Sequence, residues 1–194
     1  MKLLLLAILV LGSAAGCRPT AAASRVLPVI QPAPDFDLVN QDNERVRLSD
    51  LRGKLKVVSF FYVCCAVAEQ CPLTTKNLKA VQAALPAAQK KDVVFLMITF
   101  DPVADTPGAI KKYGELYGTP KENWHFLTGS NEVIDQLCGQ YQIIHERQED
   151  LTIRHSLVTF LIDQDNNIRK MYFANAFTPE QVCADLGSLR ERNR

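Results

Sequence analysis

The spacing of apolar and polar positions changes several times along the chain, and each change marks an element. Leu3 to Leu11 is an uncharged apolar run behind Met1-Lys2, closed by the small residues Gly12 to Gly16. The run is too short for a stable bilayer anchor, so it predicts a secretory signal over residues 1–16. Residues 17–34 are rich in Ala and Pro and lack periodicity, which predicts a flexible tether, with the ordered domain covering 35–194. Phe36 and Leu38 alternate with Asp35 and Asp37, and Val46 and Leu48 with Arg45 and Arg47. Such period-two patterning across the polar stretch Asn40–Glu44 predicts a β-hairpin with one buried face.

Leu55 to Tyr62 is an almost unbroken apolar run, β-branched and aromatic in content, and predicts a central strand covered on both faces. From Pro72 to Leu85 the apolar positions recur at three and four (Leu78, Val81, Leu85), which predicts a helix with Pro72 in its first turn. Asp92–Phe100 reads as a second buried strand, Asp105–Tyr117 as a second helix and Asn131–Tyr141 as a third. Ser156–Asp163 and Ile168–Phe173 predict two strands joined by a turn, and Thr178-Pro179-Glu180 opens a last helix. Strands alternating with helices, then a closing hairpin and helix, make an α/β domain.

Composition narrows the function. At 47% hydrophobic and 22% charged, the 194-residue chain can bury a core, which excludes a wholly disordered protein. Lys plus Arg number 22 against 21 Asp plus Glu, so no basic field exists for nucleic acid. Six cysteines make thiol chemistry the first question. Ala14-Ala15-Gly16-Cys17 resembles the lipobox of bacterial lipoproteins, with Ala14 where Leu is usual; ordinary cleavage near the Ala-rich stretch is the alternative. The resemblance implies lipidation at Cys17 and an extracytoplasmic, membrane-anchored domain in an oxidising compartment.

The chemical centre is the loop Tyr62-Val63-Cys64-Cys65-Ala66-Val67-Ala68-Glu69-Gln70-Cys71-Pro72, between the first central strand and the helix that Pro72 opens. Cys71 falls at or beside the helix N-cap, where the dipole and free N–H groups favour a thiolate. Thiolates attack disulfides and bind soft metals, and the loop between Cys65 and Cys71 is long enough to fold both sulfurs towards one point. A structural disulfide or two buried thiols is the bland alternative.

These residues resemble the Sco/SenC copper chaperones of the thioredoxin superfamily. The resemblance covers nearly all of residues 35–190 and rests on an ordered set of short motifs. They are Leu51-Arg52-Gly53-Lys54, the strand ending at Tyr62, Cys71-Pro72, and Phe100-Asp101-Pro102 with Asp105-Thr106-Pro107. Trp124 to Gly129 and His155-Ser156 before Leu161-Ile162-Asp163 complete the set. The resemblance implies a thioredoxin-like fold with an N-terminal β-hairpin extension, and copper held by Cys65, Cys71 and His155. It also implies a role in building the dinuclear copper centre of cytochrome c oxidase, with the copper-bearing subunit or another copper protein as partner. The family spacing is Cys, three residues, Cys-Pro, whereas five residues separate Cys65 from Cys71 here. Cys64 is an additional neighbour that could replace Cys65 or resolve a disulfide. Adjacent side chains on an extended backbone point oppositely, so Cys64 and Cys65 are not expected to serve together.

Two thiolates and an imidazole suit Cu(I) and accommodate Cu(II). The competing enzyme reading is a thiol–disulfide oxidoreductase using Cys65 and Cys71 as its redox pair. Zinc would accept the same ligands with water. Among the remaining candidates, Asp101 is placed to orient His155, or else to start a turn. Cys138, Cys183, Trp124 and Phe126 read as core, and His125 and His145 as solvated loop residues.

Overall fold

The computed structural model describes residues 26–150 and 152–191. The expected signal segment and Cys17 lie outside the described residues. Among the described residues, ten strands and five α-helices follow one another in the order β1 (Gln31–Pro32), β2 (Asp37–Asn40), β3 (Arg45–Arg47), β4 (Leu55–Phe61), α1 (Cys71–Ala84), α2 (Ala87–Lys90), β5 (Val93–Thr99), α3 (Pro107–Tyr117), β6 (Trp124–Thr128), α4 (Asn131–Gln140), β7 (His145–Arg147), β8 (Ile153–His155), β9 (Val158–Ile162), β10 (Asn167–Phe173) and α5 (Pro179–Glu191).

Eight strands form one sheet in the order β1-β10-β9-β4-β5-β6-β2-β3, and β7 and β8 form a separate ribbon. The centre is two parallel crossovers: β4 pairs parallel with β5, and β5 with β6. Their connections are α1 with α2, and α3, as the helix-forming periods dictate. The remaining pairs are antiparallel, including the expected hairpins β2–β3 and β9–β10.

Every residue of β4 and β5 is buried, which is why both read as continuous apolar runs. Alternation along β4 sends neighbouring rings to opposite faces. Phe60 packs with Phe100, Tyr141 and Phe160, while Phe61 packs with Tyr113 of α3 and Phe126 of β6. Full burial of one such ring contributes about 1.5–3 kcal/mol, so both faces of the strand are core. Lys56 interrupts the apolar run, yet it too is buried, its ammonium donating to the carbonyls of Leu51, Lys54 and Asp163. The helix starts are capped locally: Thr106 accepts from the Ala109 N–H, Ser130 from Val133, and Thr178 exchanges reciprocal bonds with Gln181.

The tether expected over 17–34 is not free along its described part. Gln31 and Pro32 pair with β10, and the Ile30 and Ala33 N–H groups donate to Ile168 and Asn166. Leu27 is buried, and the guanidinium of Arg169 bonds the Leu27 and Pro28 carbonyls while its other arm pairs with Asp163. The ordered domain therefore begins before Asp35. The sequence pattern misses this because an edge strand held by main-chain bonds needs no alternation of its own. It also misses β6, α2 and the β7–β8 ribbon, the last two being too short to show a period.

Candidate metal centre

The parallel strands β4 and β5 end side by side at Phe61 and Thr99, and the loops leaving their C-terminal ends build the site. This is where an open α/β sheet leaves a crevice. After β4 the cysteine loop turns twice: the Cys65 N–H donates to the Tyr62 carbonyl, and the Gln70 N–H to that of Val67. These turns take up the extra residues of the loop and bring Cys65 back towards the start of α1. Cys71 is the first residue of α1, fully buried, with Pro72 behind it. His155 ends β8, where it pairs in register with His145 of β7.

The ligating atoms of Cys65, Cys71 and His155 all lie within 4.8 Å of one another. Nε2 of His155 is 3.5 Å from Sγ of Cys71, although 84 residues separate them in sequence. On the other side of the ring, Nδ1 faces the Ser156 carbonyl at 3.1 Å. A carbonyl can only accept, so Nδ1 carries the proton of the neutral ring and Nε2 presents its lone pair to the sulfurs. Two aromatic side chains fix the ring plane: Phe100 at 4.7 Å between centroids, and Tyr62 edge-on at 5.8 Å.

The electrostatics of the thiol pair differ from the sequence expectation. The neighbouring Cys71 thiol draws Cys65 far below the ordinary thiol range, to about 4, against the opposing pull of burial. Cys71 moves the other way, because its bond to Cys65 and its burial both keep it protonated. Of the two, Cys65 is the thiol drawn towards ionisation. A helix dipole contributes about 0.3–2 kcal/mol at its N-terminus. Removing an anion from water costs several kcal/mol, so for the fully buried Cys71 burial and its neighbour outweigh the helix start.

Support for this constellation comes from residues that the sequence does not advertise. Asn175 donates to the Glu69 carbonyl at 2.9 Å and accepts from the Thr74 hydroxyl at 3.0 Å, tying the cysteine loop to the segment after β10. Asp105 accepts from the Val63 N–H at 3.0 Å and from Thr99 at 2.5 Å, clamping the entry to the loop. Burial raises Asp105 to about 6 despite those bonds. Its place in Asp105-Thr106-Pro107 was a signal; Asn175 left none.

Asp101 does not touch His155. Its carboxylate takes the Arg147 guanidinium at 2.6 Å, and the Ser156 carbonyl does the orienting instead. His145 and His125 are likewise not solvated loop residues. His145 lies in β7, stacked on Phe100 and paired with Asp135 at 2.8 Å. His125 lies in β6, 3.4 Å from the Asn40 amide, and burial lowers its pKa. Cys64 is exposed, Cys138 is core, and Cys183 is half-buried against that core. All five described cysteines are free thiols.

The model of the SCO1/SenC family matches residues 29–191. The chain belongs to the SCO1/SenC family. Arabidopsis thaliana ScoI, solved with copper bound, is 26% identical, with a TM-score of 0.72 over 82% of this chain and 98% of that one. A SCO1/SenC family lipoprotein from Bacillus anthracis is 28% identical, with a TM-score of 0.75 over 82% and 95%. BsSco, a member of the Sco family of cytochrome c oxidase assembly proteins with a disulfide switch, is 26% identical, with a TM-score of 0.74 over 86% and 98%. The fold is accordingly the thioredoxin-like α/β fold with an N-terminal hairpin. The SCO1/SenC match begins at residue 29, consistent with the sheet pairing of β1.

Proposed function

We propose that this SCO1/SenC protein holds one copper ion with Cys65, Cys71 and His155 and passes it to the dinuclear copper centre of cytochrome c oxidase. Copper here is cargo, bound through two sulfurs and the Nε2 lone pair. The observation that carries the reading is the convergence of these three donors within 4.8 Å, with the His155 tautomer turned towards the sulfurs. Soft thiolates with an imidazole select Cu(I) and tolerate Cu(II), whereas hard cations prefer oxygen. The copper-bound Arabidopsis relative and the oxidase-assembly relative support the cargo and the destination. Lipidation of Cys17 would tether the domain to the outer side of a membrane, as the signal-like segment and the Bacillus anthracis lipoprotein suggest. Copper titration of the reduced protein tests the reading. One equivalent should bind tightly, and Cys65→Ser should lose most of that affinity. Unchanged binding by the variant would contradict it.

A second reading draws on the Cys65 thiolate. Attack on a partner disulfide forms a Cys65–partner bond and releases one partner thiolate. Cys71 then attacks the Cys65 sulfur, releasing the second partner thiol and leaving a Cys65–Cys71 disulfide. Two electrons pass to the partner, and an external dithiol reductant must restore the protein. Exchange of this kind needs no imidazole, so His155 separates the two readings.

A further inference from the structure

A trough runs along the surface between α1 and α3 and opens beside Cys65. It consists of two adjoining cavities of about 610 and 320 Å³ that share Leu116 and Tyr117. The smaller reaches Val63 and Cys65. Its floor is apolar, and Leu116 is 81% exposed, a large aliphatic side chain that no described element covers. Isolated exposed aliphatics are ordinary, but this one lies at the junction of two cavities leading to Cys65.

The rim carries one sign of charge. Lys76 and Lys79 of α1 and Lys112 of α3 line the two cavities, all three exposed. Among the described residues, no acidic side chain lines either cavity. The chain as a whole is nearly neutral, at +1, so this local excess is a feature of the trough and not of the composition. Lysines around an apolar floor attract an acidic partner by long-range steering, while the floor supplies the contact area.

We infer that the α1–α3 trough is the docking groove for an acidic, leucine-bearing segment of the copper partner, which places the partner's own soft donor beside Cys65. This rests on the copper reading of Cys65 above, but the groove can be tested without metal. The probes are two short fluorescein-labelled peptides, one of alternating Glu and Leu with a central Met, the other its Lys/Leu counterpart. Anisotropy titrations use the reduced full chain in the absence of copper. The Glu/Leu peptide should bind at least about tenfold more tightly, and the preference should shrink as salt is raised. Leu116→Asp should remove that binding with copper stoichiometry unchanged, and Lys76→Glu with Lys112→Glu should reverse the preference. Equal affinity for both peptides would overturn the groove. So would a charge preference that survives Leu116→Asp, because it would then be general attraction and not docking. Should Leu116→Asp fail to fold, reversal by the lysine pair decides, and its absence overturns the proposal. Failure of copper binding with peptide binding intact would remove the cargo and leave the groove standing.

Discussion

Nε2 of His155 and Sγ of Cys71 face each other at 3.5 Å at the mouth of the sheet, brought together across 84 residues of sequence. The contact brings together two of the three donors of the metal site. With Nδ1 committed to the Ser156 carbonyl, the ring offers only one free lone pair, and it points at sulfur.

The charge asymmetry of the thiols gives the first prediction. The neighbouring Cys71 draws the Cys65 thiol far below the ordinary thiol range, to about 4. In a Cys64→Ser background, the rate of Cys65 alkylation by iodoacetamide should be flat from about pH 6 to 8. An ordinary thiol, titrating near 8.5, would speed up roughly tenfold per pH unit over most of that range. Cys71→Ala removes the hydrogen bond and should restore the slope. A rate that climbs with pH in the Cys64→Ser protein would contradict the assignment of the thiolate to Cys65.

Oxidation should act as an off switch for the metal. A Cys65–Cys71 disulfide consumes both sulfur ligands. Oxidised protein is expected to bind copper far more weakly than reduced protein, and a dithiol reductant should restore binding. Equal affinity in the two forms would shift the ligand role to Cys64, which is exposed.

Much of this arrangement can be read in the chain before any coordinates. Continuous apolar runs such as β5 announce buried parallel strands, and Leu78, Val81 and Leu85 announce α1. Cys71 before Pro72 marks a helix start, and His155 before the β9 strand carries the family pattern. What stays hidden depends on partners distant in sequence. The pairing of Gln31 and Pro32 with β10 is main-chain chemistry without a side-chain signature. Asn175 anchors the cysteine loop from more than a hundred residues away, and an isolated Asn carries no period. That Cys65 and not Cys71 is the thiol drawn towards ionisation depends on burial and neighbours, which a helix dipole alone does not supply.

Replacing His155 by Ala should separate the two chemistries. Loss of its ring contacts with Phe100 and Tyr62 is expected to cost about 1–2 kcal/mol of stability, leaving a folded protein. Copper affinity should fall, while disulfide exchange by Cys65 and Cys71 should persist. Cys71→Ala should lose both. Copper binding unchanged in His155→Ala would favour the oxidoreductase.

Asp105 predicts an effect of pH on stability. Its carboxyl titrates near 6 in the folded chain, above the ordinary carboxyl range, because burial penalises the anion. The folded state therefore binds this proton more tightly than the unfolded state. Stability from this group is full below about pH 4 and is lost as pH rises through about 6. Asp105→Asn keeps an oxygen to accept from Val63 and Thr99 without the charge. It should flatten that part of the pH–stability curve and match or exceed the parent at neutral pH by roughly 1–2 kcal/mol. Denaturant unfolding at several pH values reads this directly, and an unchanged slope would show that Asp105 titrates normally.

X-ray absorption at the copper edge of the reduced, singly loaded protein bears most directly on the central claim. The account predicts two sulfur scatterers and one imidazole nitrogen, with one sulfur lost in Cys65→Ser, the nitrogen lost in His155→Ala, and no change in Cys64→Ser. A first shell of oxygen and nitrogen without sulfur, or a spectrum altered by Cys64→Ser and not by Cys65→Ser, would contradict it.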